Sequence, residues 1–461
     1  MSVLAGFMVP HPPMIIPAIG KGEERKIQKT IDAYEKVAEE IAELRPEVII
    51  ISSPHSIMYA DYFHISPGRC AKGSFERFRA PDVSLEEEYD AKLRDRICEL
   101  TKQDDFPAGI LGERDPELDH GTLVPLYFIR KKYKEGKIMR IGLSGLDLCE
   151  HYRLGLYIRQ AVEELNRKVV FIASGDLSHK LQEYGPYGFS KEGPEYDERI
   201  MNVCAKGSFG ELFDFSEDFL DKAAECGHRS FVIMAGVFDG LGIKAEQYSH
   251  EDITGVGYGI CSFYPLDKDD DRHFLDEYKD KKMKELALIA EKSDSYVKLA
   301  WKAVEYYVLH HKHLEIAENL DEQLLNRKAG AFVSIHKNGR LRGCIGTIMA
   351  SRESLAKEII ENAISACSRD PRFNPITADE LTQLEINVDV LGDIEDIESK
   401  EQLDVKRYGV IVSCGNRSGL LLPDLEGVDT VDEQIRIARE KGSIAPDEDY
   451  HLSRFEVVRH Y

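Results

Sequence analysis

Up to His55, the apolar positions fall into three blocks with two different periods. LAGFMV (4–9) and VIII (48–51) are short, wholly or almost wholly apolar runs. Each leads into turn residues and a histidine: His11 in MVPHPP and His55 in SSPHS. Between them Ile27, Ile31, Tyr34, Val37, Ile41 and Leu44 recur every three or four positions, the spacing of a helix with one buried stripe. Strand, helix and strand joined by a crossover predict a βαβ unit. Its two strands are expected to be adjacent and parallel, with both imidazoles at the same sheet edge. Ligands bind at that edge in open α/β sheets.

The same alternation continues to about residue 265. KIMRIGLSGL reads as a strand, HYRLGLYIRQAVEELN as a helix, and KVVFIASGD as a buried strand ending at Ser174-Gly175-Asp176. AAECGHRSFVIMAGVFDGLG reads as a loop entering an apolar helix. KAEQYSHED and TGVGYGICSFYPL read as two final strands. The glycines of Gly255-Val256-Gly257-Tyr258-Gly259 do not match a dinucleotide fingerprint and no helix follows them, which argues against a nucleotide role.

LDKDDDRHFLDEYKDKKMKE is nearly all charged and marks a boundary, with a helix in its later half. Beyond it SDSYVKLAWKAVEYYVLHH predicts a helix. AFVSIHK and RLRGCIGTI alternate on either side of Asn338-Gly339, the signature of a type I′ hairpin, whose two turn residues both need positive φ. ESLAKEIIENAISACSR predicts an amphipathic helix, and LEINVDVLG and YGVIVSCGNRSGLLLP predict further strands. The expected architecture is an α/β N-terminal domain with a mostly parallel central sheet over 1–266 and a charged linker over 267–280. A smaller α+β domain with a mixed or antiparallel sheet follows over 281–461.

Charge narrows the function. With 83 acidic and 60 basic residues the net charge is −23, which argues against nucleic acid as a partner, because its phosphates would be repelled. No apolar run approaches the ~20 residues that span a bilayer, and the N-terminus lacks the pattern of a signal peptide. Nine scattered cysteines form no CxxC pair, so neither a zinc ribbon nor a disulfide framework is expected. A reducing cytoplasm is the expected compartment.

Two further histidines join the strand-end pair. His179 follows the strand that ends in Asp176, and His120 sits in Glu117-Leu118-Asp119-His120-Gly121-Thr122, ahead of an apolar run. A nearby carboxylate, Asp176 or Asp119, can fix an imidazole's tautomer and raise its basicity. Glu225, placed before a helix, is a candidate third ligand, and a helix-capping role competes with it. Two histidines and a carboxylate make the facial triad of non-haem Fe(II) sites, and the same set also suits Zn(II). In the second block, Arg342, Gly343, Cys344 and Gly346 of LRGCIG stand out. The glycines allow close backbone approach, and Arg342 could bind an anion or activate the thiol. The competing reading is a small cysteine in a tightly packed strand.

MVPHPP, SSPHS, LDHGTLVPL and ASGDLSH, in that order, resemble the class III extradiol dioxygenase (LigB-like) superfamily, which includes Memo-like proteins. The likeness covers roughly residues 1–265. It implies Fe(II) held by His11, His55 and a carboxylate best matched by Glu225. His179 would be the acid/base residue and His120 would contact substrate or oxygen. Memo-like members carry a cysteine near the third-ligand position, and here Cys226 is next to Glu225. Consecutive residues rarely point the same way, so one of the two is expected to be the ligand, and Glu225 is favoured. LRGCIG, DPRFNP and GLLLP resemble the AMMECR-type domain over about 280–461. The fusion resembles the AmmeMemoRadiSam system, which implies a radical SAM protein as partner. The expected function is a non-haem Fe(II) oxidoreductase acting on a small, catechol-like substrate, with Asp176 assisting and a homo-oligomer as a further expectation. The alternative is a metal-binding scaffold that works with the radical SAM partner.

Overall fold

Strands that are apolar on both faces need cover on both faces, and the first part of the chain supplies it. The computed structural model describes residues 2–114, 117–316, 320–337, 339–425 and 427–461. It forms two units that divide between Tyr278 and Lys279. In chain order the first contains β1 (Val3–Val9), α1 (Gln28–Leu44), β2 (Val48–Ser53), β3 (Cys70–Phe75), β4 (Ala80–Glu88), α2 (His120–Lys132) and β5 (Lys137–Gly142). It continues with α3 (Leu148–Glu164), β6 (Val169–Ser174), α4 (Glu192–Lys206), α5 (His228–Val237), β7 (Leu241–Glu251) and β8 (Tyr258–Lys268).

Six strands make the central sheet in the order β5-β2-β6-β1-β8-β7. The first four run parallel, and β8 pairs antiparallel with both β1 and β7. Every residue of β2 and β6 is buried, and alternate side chains enter two cores. Met8, Ile50 and Phe171 meet residues of α3 and α5 on one face. Phe7, Ile49, Ile51 and Ile172 meet residues of α1 and α2 on the other.

One expectation needs correcting here. β1 and β2 are not adjacent, because β6 lies between them and pairs in parallel with both. A strand with no polar face cannot sit at an edge, and β6 is such a strand. The shared direction survives, so His11 and His55 do leave the sheet at the same edge. The hairpin of β3 and β4 and helix α4 were not read from the sequence.

The charged stretch 267–280 is folded where a linker was expected. β8 runs on to Lys268, and α6 (Phe274–Lys292) begins inside the first unit. Leu275 is buried there, and Tyr278 stacks on Phe213 with ring centroids 4.7 Å apart. Its few apolar residues outweigh the many charges, which remain in solvent.

The second unit holds α7 (Ser295–His310), β9 (Ala331–Lys337), β10 (Arg340–Gly346), α8 (Leu355–Ser368), β11 (Leu384–Leu391), β12 (Tyr408–Cys414), β13 (Arg417–Leu421), α9 (Val431–Lys441) and β14 (His451–His460). Its sheet is antiparallel, in the order β10-β9-β11-β14-β12-β13. Ala331, Val333 and Ile335 point from β9 into a core shared with α7 and α8. Gly339 of the β9–β10 turn has φ +74°, and Asn338 lies outside the described residues.

Helices α3 and α5 touch through glycines. A Cβ on Gly236 would lie 2.1 Å from Tyr152 O, and one on Gly155 2.2 Å from Ile233 O. Helix propensity alone favours Gly236→Ala by roughly 0.8–1 kcal/mol, whereas overpacking against a backbone oxygen costs about 1–3 kcal/mol. Urea denaturation of Gly236→Ala should therefore show a net loss of up to about 2 kcal/mol. A net gain would mean that the helices do not cross this closely.

Candidate functional site

Three neighbouring parallel strands end at one edge, and each delivers polar residues there. β1 leads to His11, β2 to His55, and β6 to Asp176 and His179. His11 is 1% exposed and forms the floor, while His55 is exposed at the rim. Their Nε2 atoms are 2.9 Å apart. His120 stacks on His55 with ring centroids 4.0 Å apart and stands 5.4 Å from the His11 ring.

His120 opens α2 rather than lying in a turn ahead of it. Asp119 caps that helix, accepting from Thr122 N at 3.0 Å and Thr122 Oγ1 at 2.9 Å. Two serines at strand ends hold the helix start. Ser53 Oγ donates to Asp119 Oδ1 at 2.5 Å, and Ser174 Oγ donates to Gly121 O at 2.6 Å. Burial pushes the Asp119 carboxyl up, but the fully buried Arg140, Ser53 and Thr122 outweigh it and the net direction is down.

His11 is tied on three sides. Its backbone N donates to Asp176 Oδ1 at 2.7 Å, its Nδ1 is 3.0 Å from Ser174 Oγ, and its Nε2 is 3.7 Å from Cys226 Sγ. The Asp176 backbone N donates to that sulfur at 3.3 Å. The loop carrying Cys226 lies directly on the turn after β6, where a Cβ on Gly175 would come within 2.0 Å of Gly227 Cα. His179 Nδ1 donates to Ala224 O in the same loop, which leaves Nε2 as an acceptor. Tyr187 meets the His179 ring edge-on at 5.1 Å, and Phe78 meets His120 at 5.4 Å.

Beside the histidine pair lies the Cys226 sulfur, while the favoured Glu225 joins neither cluster of ligand atoms among the described residues. The Glu225 carboxylate turns away and accepts from His228 N at 2.6 Å, at the start of α5. It acts there as the helix-terminal acid that was the competing reading, and burial pushes its pKa up to about 7. Among the described residues, two groups bring one potential ligand atom each to within 4.8 Å of one another: His11, His55, Cys226 and Asp176, His179, Cys226.

The donor chemistry fits a metal ion. Burial and the neighbouring His55 lower His11 well below the usual histidine value, so it is a neutral imidazole at pH 7. Burial, His55 and His11 lower His120 to about 3. Burial raises Asp176 against the pull of the His11 N–H and His179. Burial, then the Asp176 charge, pushes the Cys226 thiol well up. A cation between the two Nε2 lone pairs and the sulfur would relieve the crowding of these electron-rich atoms and favour the thiolate.

In the second unit, Arg342 does not serve the thiol. It forms an ion pair with Glu380 at 2.9 Å and donates to Asn374 O at 2.7 Å. Cys344 donates its backbone N to Asp370 Oδ2 at 2.9 Å, and Arg372 donates to Cys344 O at 3.1 Å. Ser334 Oγ donates to the Cys344 sulfur at 3.3 Å. Gly343 passes so close to α8 that a Cβ would lie 2.2 Å from Ala366 O. Its partner Gly346 lies opposite Phe332 on β9.

A parallel-edged α/β sheet with a histidine cluster at its strand ends, followed by an antiparallel α+β unit, defines a class of two-domain proteins. The family model described as the catalytic LigB subunit of aromatic ring-opening dioxygenase matches residues 5–261, more than half of the chain. The AMMECR1 model matches residues 297–460. The chain belongs to the LigB family, as a class III extradiol dioxygenase-like domain fused to an AMMECR1 domain. A Clostridium acetobutylicum protein is 42% identical over 100% of this chain and 99% of its own length. A Thermotoga maritima protein is 50% identical over 36% of this chain and 96% of its own. The 2-aminophenol 1,6-dioxygenase beta subunit of a Pseudomonas species is 25% identical over 57% of this chain and 94% of its own.

Ser53 and Ser174 were overlooked in the sequence, although both are small polar residues ending otherwise apolar strands at the site edge. Phe78 and Tyr187 carried no signal, since only the folded loops bring them in. Because His120 falls from 6.5 to about 3 on folding, the unfolded chain binds a proton in that window that the folded protein does not. Its contribution is complete above pH 6.5 and is lost as pH falls towards 3. Urea midpoints of metal-free His120→Gln should thus decline less steeply from pH 6.5 to 4 than those of the unsubstituted protein. Equal slopes would contradict a buried, neutral His120.

Proposed function

We propose that the first domain is a metal-dependent oxidoreductase acting on a small, chelating, catechol-like substrate. Its metal would be Fe(II); Zn(II), which has no redox chemistry, would instead make the same site that of a hydrolase or lyase. The observation that carries this reading is the pair of imidazole Nε2 atoms 2.9 Å apart with the Cys226 sulfur 3.7 Å from one of them. His11, His55 and Cys226 would hold the ion. A bound ferrous ion supplies a Lewis-acidic centre with coordination positions open to substrate.

The chain's own groups handle protons around it. His179 Nε2 is free to take a proton from a substrate hydroxyl, and the Asp176 carboxylate steadies the resulting imidazolium. His120, neutral at pH 7, offers a ring nitrogen to the substrate without adding charge. Phe78 and Tyr187 set aromatic rings against His120 and His179 at the opening.

The thiol favours a second reading. A sulfur ligand changes the redox behaviour of iron and is itself oxidisable, which suits a metal-binding scaffold working with a radical SAM protein. In that reading the AMMECR1 domain would present the Arg342–Gly346 strand to the partner.

Elemental analysis of anaerobically purified protein should give iron. His11→Ala/His55→Ala should abolish its retention and Cys226→Ser should weaken it, while Glu225→Gln should leave it intact. Metal content unchanged by the double substitution would defeat the proposal. Saturable oxygen uptake by the iron-loaded protein with a catechol or 2-aminophenol would select the oxidoreductase, whereas metal retention without uptake would select the scaffold.

A further inference from the structure

Pro125 lies inside α2. A helical N–H at this position would bond to Gly121 O, four residues back, but proline has none to give. Gly121 O instead accepts the Ser174 hydroxyl at 2.6 Å. A serine hydroxyl carries a single proton. With that proton given to Gly121, Ser174 Oγ can only accept from His11 Nδ1, 3.0 Å away. Ser174 is completely buried and His11 almost so, which leaves water little room to take over either bond.

We propose that Pro125 and Ser174 are positioning residues that hold His11 as its Nδ1–H tautomer, with the Nε2 lone pair facing His55 and Cys226. The direction of donation is fixed at every link. The proline removes a donor, the freed carbonyl accepts from the serine hydroxyl, and the serine oxygen accepts from the imidazole Nδ1–H. The imidazole then has only one nitrogen left to offer. A histidine at this depth cannot change tautomer without leaving a buried donor or acceptor unsatisfied. The link from tautomer to metal affinity rests on the metal-dependent reading above, whereas the tautomer itself does not.

Two-bond ¹H–¹⁵N correlation spectra of metal-free, ¹⁵N-histidine-labelled full-length protein test the relay, with His11 assigned by the signal lost in His11→Gln. The unsubstituted protein should show the Nδ1–H tautomer. Ser174→Ala should give a mixed or Nε2–H tautomer and bind Zn(II) about 10- to 100-fold more weakly, and Ser174→Thr should restore both. Pro125→Ala supplies an N–H that competes for Gly121 O and should shift both readouts in the same direction. Because alanine suits a helix better than proline, that loss could not be assigned to a weaker helix. An Nε2–H signal in the unsubstituted protein would overturn the relay, as would a Ser174→Ala protein unchanged in tautomer and Zn(II) affinity. Failure of the unsubstituted protein to bind Zn(II) or Fe(II) would defeat the metal reading instead and leave the tautomer result to decide the relay.

Discussion

A buried imidazole has two nitrogens and one proton, and burial forbids leaving either nitrogen to chance. His11 meets that constraint through Ser174 and Gly121, and much of the site's layout follows from it. Ser174 ends the middle strand of the three that converge on the site, so the bond ties β1 to β6. Gly121 follows His120, so the same hydroxyl also sets the height of α2 above the sheet. Ser53 repeats the arrangement from β2 by reaching Asp119. His11 and the helix start that carries His120 are thus referred to one sheet edge through two hydroxyl groups.

The sheet and most helices were legible because their signals are local. Unbroken apolar runs such as VIII and VVFIA leave no reading except a strand covered on both faces, and the stripe from Ile27 to Leu44 has no use except as a helix. Strand order was not legible in the same way. Nothing in β1 or β2 says that β6 will come between them, since that depends on which buried strand most needs two neighbours. The charged stretch holds the division between the units and is helical in its later half, and what its charge count hid is that Phe274, Leu275 and Tyr278 lie on one turn of helix and seat it.

The four histidines and Asp176, singled out in the sequence for their places after strands or beside turns, come together at one sheet edge. The choice between Glu225 and Cys226 turns on a rotation of one residue, which periodicity cannot see. A rule of helix ends explains the result. The first N–H groups of α5 need an acceptor, a carboxylate serves them better than a thiol, and so the glutamate goes to the helix and the sulfur to the histidines. Arg342 is a similar case, since Glu380 holds the guanidinium that was expected at Cys344.

The contact between Gly175 and Gly227 has a further consequence, one of tolerances. In the proposed metal site, ligand bonds would accept errors of only about 0.2 Å, yet Cys226 comes from a loop that is distant in sequence from β1. Two backbones in direct contact, with no side chain between them, leave no adjustable spacer in that path. The height of the loop backbone that carries Cys226 is gauged by the thickness of the main chain itself. A methyl group at either glycine would act as a shim and would lift the whole loop, with the His179 anchor at Ala224, away from the histidine pair.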